Sequence, residues 1–170
     1  TFYKRFVKPI EQIVDNGSVP SNLILTLSNP NLATIYGGEL EIRKSINNNF
    51  TIYSNLSYFK SEVNIQGRTR QLQGQSPYII NTGLFYTKGK YSVNMFYNRI
   101  GERISAVGFQ GYPDIYENAR DVIDMTVQYQ SKKMSIKFGV SDLLGQYSKF
   151  YQNNQQRVLI KTNNEQTINL

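Results

Sequence analysis

The stretch from Pro77 to Arg99 leaves the fold the least freedom. Ile80, Thr82, Leu84 and Tyr86 alternate with Ile79, Asn81, Gly83 and Phe85. After the short connection Thr87-Lys88-Gly89-Lys90, Tyr91, Val93, Met95 and Tyr97 alternate with Ser92, Asn94, Phe96 and Asn98. A period of two residues is that of a strand, and two such runs joined by a short glycine-containing link form an antiparallel hairpin. One face of the hairpin is an apolar and aromatic stripe. The other is small and uncharged, mostly Ser, Asn and Gly with Phe85 and Phe96 among them, as in the lining of a wet cavity rather than the charged outer face of a soluble sandwich.

The same pattern recurs along the chain. Thr1 to about Asp15 reads as a strand interrupted in character by Pro9, which implies an edge, a bulge or an exit point. Leu23 to Leu27 is a short apolar run. From Ala33 to Ile46, Tyr36, Gly38, Leu40 and Ile42 alternate with Gly37, Glu39, Glu41 and Arg43. Phe50 to about Val63 forms a long strand, the strand begun at Tyr91 extends towards Ile104, and Val122 to Gln130 and Met134 to Val140 form two more. This makes about eight strands. Their connections alternate between short ones (Asn47 to Asn49, Lys88 to Lys90, Ser131 to Lys133) and long ones (Asp15 to Asn31, Asn64 to Ser76, Ala106 to Arg120, Leu144 to Gln166). No rule makes every second loop of a soluble sandwich long, whereas an outer-membrane barrel has short periplasmic turns and long extracellular loops. The expected fold is therefore all-β, an antiparallel transmembrane β-barrel segment.

Composition narrows the chemistry. The 170 residues include no Cys and no His, which removes Cys-His and Ser-His-Asp nucleophiles and zinc sites built on those ligands. No enzyme activity and no cofactor or metal site is read from the sequence. With a mean hydropathy of −0.45, no run approaches the roughly 20 apolar residues of a membrane helix, but a barrel strand needs only about 10 alternating residues. Thirteen Tyr and nine Phe suit an interfacial girdle or a sugar-binding surface. The net charge of +7 is concentrated in Lys44, Lys88, Lys90, Lys132 and Lys133 at the short turns. That distribution fits anionic lipid head groups better than nucleic acid, which is not expected as a partner.

Several motifs in order resemble the late barrel of TonB-dependent receptors, especially of Bacteroidota-type bacteria. They are Tyr36-Gly37-Gly38-Glu39-Leu40-Glu41, the run from Arg70-Gln71-Leu72-Gln73-Gly74-Gln75-Ser76-Pro77-Tyr78 to Tyr86, Tyr97-Asn98-Arg99-Ile100-Gly101-Glu102-Arg103-Ile104, and Pro113-Asp114-Ile115-Tyr116-Glu117. The resemblance spans nearly the whole chain. It implies that residues 1–170 are a C-terminal part of a 22-stranded barrel. It further implies a location in the bacterial outer membrane and a role in active uptake of a chelated metal, glycan or peptide. The implied partners are outer-membrane lipid, an N-terminal plug domain of the same protein, a TonB-type energy-coupling protein acting through the plug, and a surface lipoprotein cap. The chain departs from the family pattern in carrying no plug or coupling segment and in stopping before an aromatic-ended last strand. Both ends read as cut.

Two sets of candidate residues follow. Glu39, Glu41, Arg43, Asp124 and Lys137 project to the polar face, either to line a lumen or to pair across strands, and cross-strand pairing is the more ordinary role. Glu39 and Glu41 also meet the spacing of a glycosidase pair, but any two alternate residues of one strand do so. Phe109, Tyr112 and Tyr116 lie in a long loop, where they stack on a ligand or, the more ordinary role, pack the loop onto the rim, and Gln71, Gln73 and Gln75 lie in the loop before Pro77, where they hydrogen-bond a polar ligand or are simply soluble loop. Two other architectures remain open: a complete eight-stranded outer-membrane barrel with a structural or adhesive role, and a secreted β-sandwich that binds carbohydrate.

Overall fold

The computed structural model describes residues 1–14, 24–65, 68–108, 112–152, 157–163 and 166–169. The described residues contain fifteen strands and no helix. These are β1 (Phe2–Val7), β2 (Glu11–Val14), β3 (Leu25–Ser28), β4 (Leu32–Asn47), β5 (Phe50–Ile65), β6 (Arg68–Arg70), β7 (Tyr78–Lys88) and β8 (Tyr91–Ile100), followed by β9 (Arg103–Ala106), β10 (Ile115–Glu117), β11 (Arg120–Gln130), β12 (Ser135–Ser141), β13 (Ser148–Gln152), β14 (Arg157–Thr162) and β15 (Thr167–Asn169).

A nine-stranded antiparallel sheet runs in the order β1-β4-β5-β7-β8-β11-β12-β15, with β6 paired to the far end of β5. Its three tight hairpins point the same way. Asn47 Oδ1 accepts the N–H groups of Asn49 and Phe50, both at 2.9 Å, so that an Asx turn closes the β4–β5 hairpin. Lys88 faces Tyr91 across the β7–β8 turn, where Gly89 has φ +60. Glycine in the first central position with positive φ is the pattern of a type II′ turn, whose twist matches that of the strands it joins. The β11–β12 turn closes with the Ser131 N–H donating to Met134 O at 2.7 Å.

The tips are staggered. Phe50, Tyr86, Val93, Val127 and Phe138 stand opposite one another in sequence across five strands. The β4–β5 hairpin ends at this line, while Lys88–Tyr91 and Gln130–Ser135 close the next two hairpins progressively beyond it. A drift of roughly three residues over four strand spacings corresponds to an obliquity on the order of 30° between the strands and the normal to the line of tips.

The long connections carry structure of their own. β2 and β3 form a two-stranded sheet, and β14-β13-β10-β9 form a four-stranded one. The two are joined by a parallel bridge between Ile13 and Val107, with Val14 N–H to Val107 O at 2.8 Å and Val107 N–H to Gln12 O at 2.9 Å. Arg70 of β6 ties them to the main sheet at its long-connection end through Glu11 of β2. There Ala33, Ile35, Ser57, Ser61 and Val63 are buried, while Tyr36, Tyr58, Lys60 and Glu62 on the reverse face are exposed. The core is Val14, Ala106 and Ile115, flanked by Tyr112, Phe150 and Leu159.

Three boundaries differ from the sequence expectation. Thr1 to Asp15 is not one strand, because Pro9 cannot donate to the ladder and Lys8 before it takes φ 50; β1 and β2 therefore belong to different sheets. The strand begun at Tyr91 stops at Ile100 instead of reaching Ile104, and β9 enters the four-stranded sheet. The long connections are not plain loops, because β6, β10, β13 and β14 lie within them. Their strands are short and rich in polar residues, so their alternation is too brief to read.

Candidate functional site

Apart from the bulge between Ser45 and Asn47, the register sorts the side chains of the main sheet onto two faces across its hairpins. Leu40 faces Leu56, which faces Ile80, and Met95 faces Leu84 on one side and Met125 on the other. Continuing, Val127 faces Phe138, Met125 faces Val140, and Val140 faces Ile168. This face thus carries an aliphatic band running from Leu40 and Ile42 in β4 to Ile136 and Val140 in β12. None of its residues is buried, and Leu40, Ile42 and Leu56 are 56%, 51% and 42% exposed. No layer of the described chain lies over it.

Rows of aromatic side chains bound the band on the same face. Near the long connections stand Tyr36, Tyr58, Tyr78 and Tyr97, and near the tips Phe50, Tyr86, Tyr91 and Tyr129. The Tyr91 and Tyr129 rings lie 5.1 Å apart, a directly opposed cross-strand pair. From Phe50 to Tyr58 the band extends roughly 27 Å along β5. Beyond the upper row the face becomes charged. Lys60 pairs with Glu62 at 3.1 Å and lies over the Tyr36 ring, and both neighbours raise its pKa, Tyr36 the more strongly. Nearby, Arg99 binds both Asp121 oxygens at 2.8 Å, and the Tyr97 hydroxyl donates to the same carboxylate at 2.6 Å.

On the opposite face the register brings together Glu39 with Ser57, Glu41 with Asn55, and Arg43 with Tyr53. Asp124 lies opposite Phe96, and Lys137 opposite Gln128. All five sequence-selected residues therefore share this face. Glu39, Glu41, Arg43 and Lys137 are exposed, and among the described residues no ion pair links the five with one another. Asp124 accepts the Asp142 N–H at 2.8 Å, which fixes the residue of positive φ that ends β12. The Phe85 and Phe96 rings meet edge to face at 5.4 Å over Gly83, where a Cβ would come within 2.9 Å of the Phe85 ring. They form an aromatic island among Asn55, Asn81, Asn94 and Asn98.

The loop candidates are placed differently from one another. Gln71 is exposed. The Gln73 amide donates to Ser105 O, its carbonyl oxygen accepts the Gln12 N–H, and its own N–H donates to Glu11, so this side chain ties β2 to the β8–β9 region. The Gln75 amide donates to Ser76 O at 2.9 Å. Tyr112 packs against the Val14–Ala106–Ile115 core, and Tyr116 stacks on Tyr151 at 6.1 Å. Phe109 lies outside the described residues.

The strongest polar contact was not visible in the sequence. Arg70 binds Glu11 with two hydrogen bonds of 2.9 and 2.6 Å, the side chains being 8% and 1% exposed. The partners are 59 residues apart and lie in different sheets, Arg70 in β6 of the main sheet and Glu11 in β2. A second pair, Arg103 with Glu117 at 2.8 Å, joins β9 to β10. Among the described residues no group of acidic side chains could hold a metal ion.

Fold and surfaces define an all-β protein whose main antiparallel sheet leaves an apolar face uncovered. No family model matches the chain, and no curated protein or solved structure is similar to it.

Proposed function

We propose that this chain is wall and outer-loop portion of an outer-membrane β-barrel, of the TonB-dependent transporter type that its motifs resemble. One observation carries the reading: an aliphatic band with no covering layer, bounded on both sides by aromatic rows, on a sheet whose reverse face is polar. In water such a band is costly, because apolar area left exposed forfeits about 25 cal/mol per Å². Against hydrocarbon it is satisfied, and tyrosines at its borders suit the head-group level. Tilted by the on-the-order-of 30° that the stagger suggests, a 27 Å band would span roughly 23 Å, near the ~25 Å apolar band of outer-membrane barrels, whose strands tilt about 35–45°.

The polar face then lines the bore, with Glu39, Glu41, Arg43, Asp124 and Lys137 towards water, a plug or a transported solute. The packed long connections form the outer mouth. The role is transport, with capture at the mouth and passage past a plug driven through a TonB-type protein; a surface lipoprotein would cap the same end. Edges β1 and β15 are unpaired with each other in the described chain, and a bilayer does not tolerate an open edge, so in this reading each edge pairs with further barrel strands.

A second reading is favoured by the sheet path itself, which threads eight strands: a small self-closed barrel with a structural or adhesive role. A carbohydrate-binding sandwich has less support, because the apolar face of the main sheet has no covering layer among the described residues. Membrane fractionation and heat-modifiable electrophoretic migration test the proposal. Recovery with outer membranes and a heat-dependent shift are expected, whereas a soluble species with no shift would end it. Closure of a barrel by the 19.6 kDa chain alone would favour the small-barrel reading.

A further inference from the structure

The hairpin tips differ from the rest of the molecule in charge. Residues 43–53, 86–92 and 128–137 contain Arg43, Lys44, Lys88, Lys90, Lys132, Lys133 and Lys137 and no Asp or Glu. At the other end cations and anions are interleaved and paired, as in Lys60–Glu62, Arg99–Asp121 and Arg103–Glu117. On the tip side of the apolar face, Tyr86, Lys88, Gly89, Lys90, Tyr91 and Tyr129 line an open cleft. Lys88 shares the face of the three tyrosines, because it stands opposite Tyr91, and Tyr91 opposite Tyr129. Gly89 holds the turn that sets Lys90 beside it. Neither lysine has an acidic partner among the described residues.

We propose that this cleft is a binding site for the head group of an anionic phospholipid in the leaflet at the hairpin-tip end. This rests on the membrane reading and deepens it. The lysine ammonium groups face the phosphate, the Tyr86, Tyr91 and Tyr129 hydroxyls supply hydrogen bonds at head-group level, and the tyrosine rings with Val93 and Val127 beyond them take the start of the acyl chains. A one-sign rim suits an anionic surface, with each cation near such a surface contributing a factor of about five in affinity at moderate ionic strength.

The chain contains no Trp, so Tyr91→Trp provides a single fluorophore in the cleft. The variant is reconstituted in bilayers carrying equal mole fractions of brominated phosphatidylglycerol or brominated phosphatidylcholine in a phosphatidylcholine background, and quenching gives relative lipid association constants. A preference of about 25-fold for phosphatidylglycerol is expected, falling by about five-fold for each of Lys88→Gln and Lys90→Gln, with Lys60→Gln at the opposite end leaving it unchanged. Equal quenching by both lipids would overturn the site while leaving the membrane reading intact. Absence of quenching by either lipid would overturn both. A preference abolished by inorganic phosphate at constant ionic strength would mark a free-phosphate site and likewise overturn the proposal.

Discussion

At the long-connection end, Val63, Ala33 and Ile35 are buried, Glu11 and Arg70 lock together out of water, and Tyr116 stacks on Tyr151. At the tip end, from Glu39 to Leu56 and from Asn81 to Asn98, no described side chain is buried on either face. Both ends share one continuous hydrogen-bonded ladder, yet only the first has the layered packing by which domains in water hold together. The second has cross-strand pairs such as Tyr91–Tyr129, each contributing roughly 0.2–1 kcal/mol, too little to order a sheet without apolar burial. The comparison teaches that the tip half lacks, among the described residues, the covering layer that the other end has; in the proposed membrane setting that layer is hydrocarbon.

Three substitutions sharpen this contrast, taken from the largest effect down. Arg70→Met strands a buried carboxylate, and removal of one partner from such a pair costs about 3–5 kcal/mol. Denaturation followed by hydrogen exchange should show the loss concentrated in β2, β6 and β9 while the β7–β8 amides keep their protection. The double variant Arg70→Met with Glu11→Leu should recover much of it.

Met95→Arg places a charge in the middle of the apolar band. In a bilayer it should cost about 2–4 kcal/mol, against little for Asn94→Arg one residue away on the polar face. Equal costs for the two, measured by urea unfolding from liposomes, would show that the faces do not differ in environment.

Gly89→Ala forces a side chain into a positive-φ turn and should cost about 1–2 kcal/mol, with no effect on the long-connection end. A uniform loss of protection over the whole chain would instead mean that the two ends unfold together and that the contrast between them is not energetic.

The tip half was largely legible beforehand. Residues such as Tyr91 to Asn98 alternate for long enough to fix both strand and face, and Asn47–Asn49 and Gly89 mark turns by their chemistry. The long-connection end was not legible. Ser148–Gln152 and Arg157–Thr162 sit in Gln- and Asn-rich sequence that reads as loop, and they become strands only by pairing with each other and with β10. The role of Gln73 is not readable from sequence, because its partners Glu11, Gln12 and Ser105 are distant along the chain. Alternation alone puts Glu39, Glu41 and Arg43 on one face, but whether they meet cross-strand partners depends on register, which sets Ser57, Asn55 and Tyr53 opposite them.

The central claim concerns which face of the sheet meets hydrocarbon. The chain has no Cys, so single substitutions to Cys along Tyr91–Ile100 can be spin-labelled one at a time in reconstituted bilayers and exposed to oxygen, which partitions into lipid, or to a water-soluble nickel complex. We predict a period-two alternation, with labels at Val93 and Met95 relaxed by oxygen and labels at Ser92, Asn94 and Asn98 relaxed by nickel. Alternation of the opposite phase, or equal accessibility of Val93 and Asn94 to the nickel complex, would contradict the account.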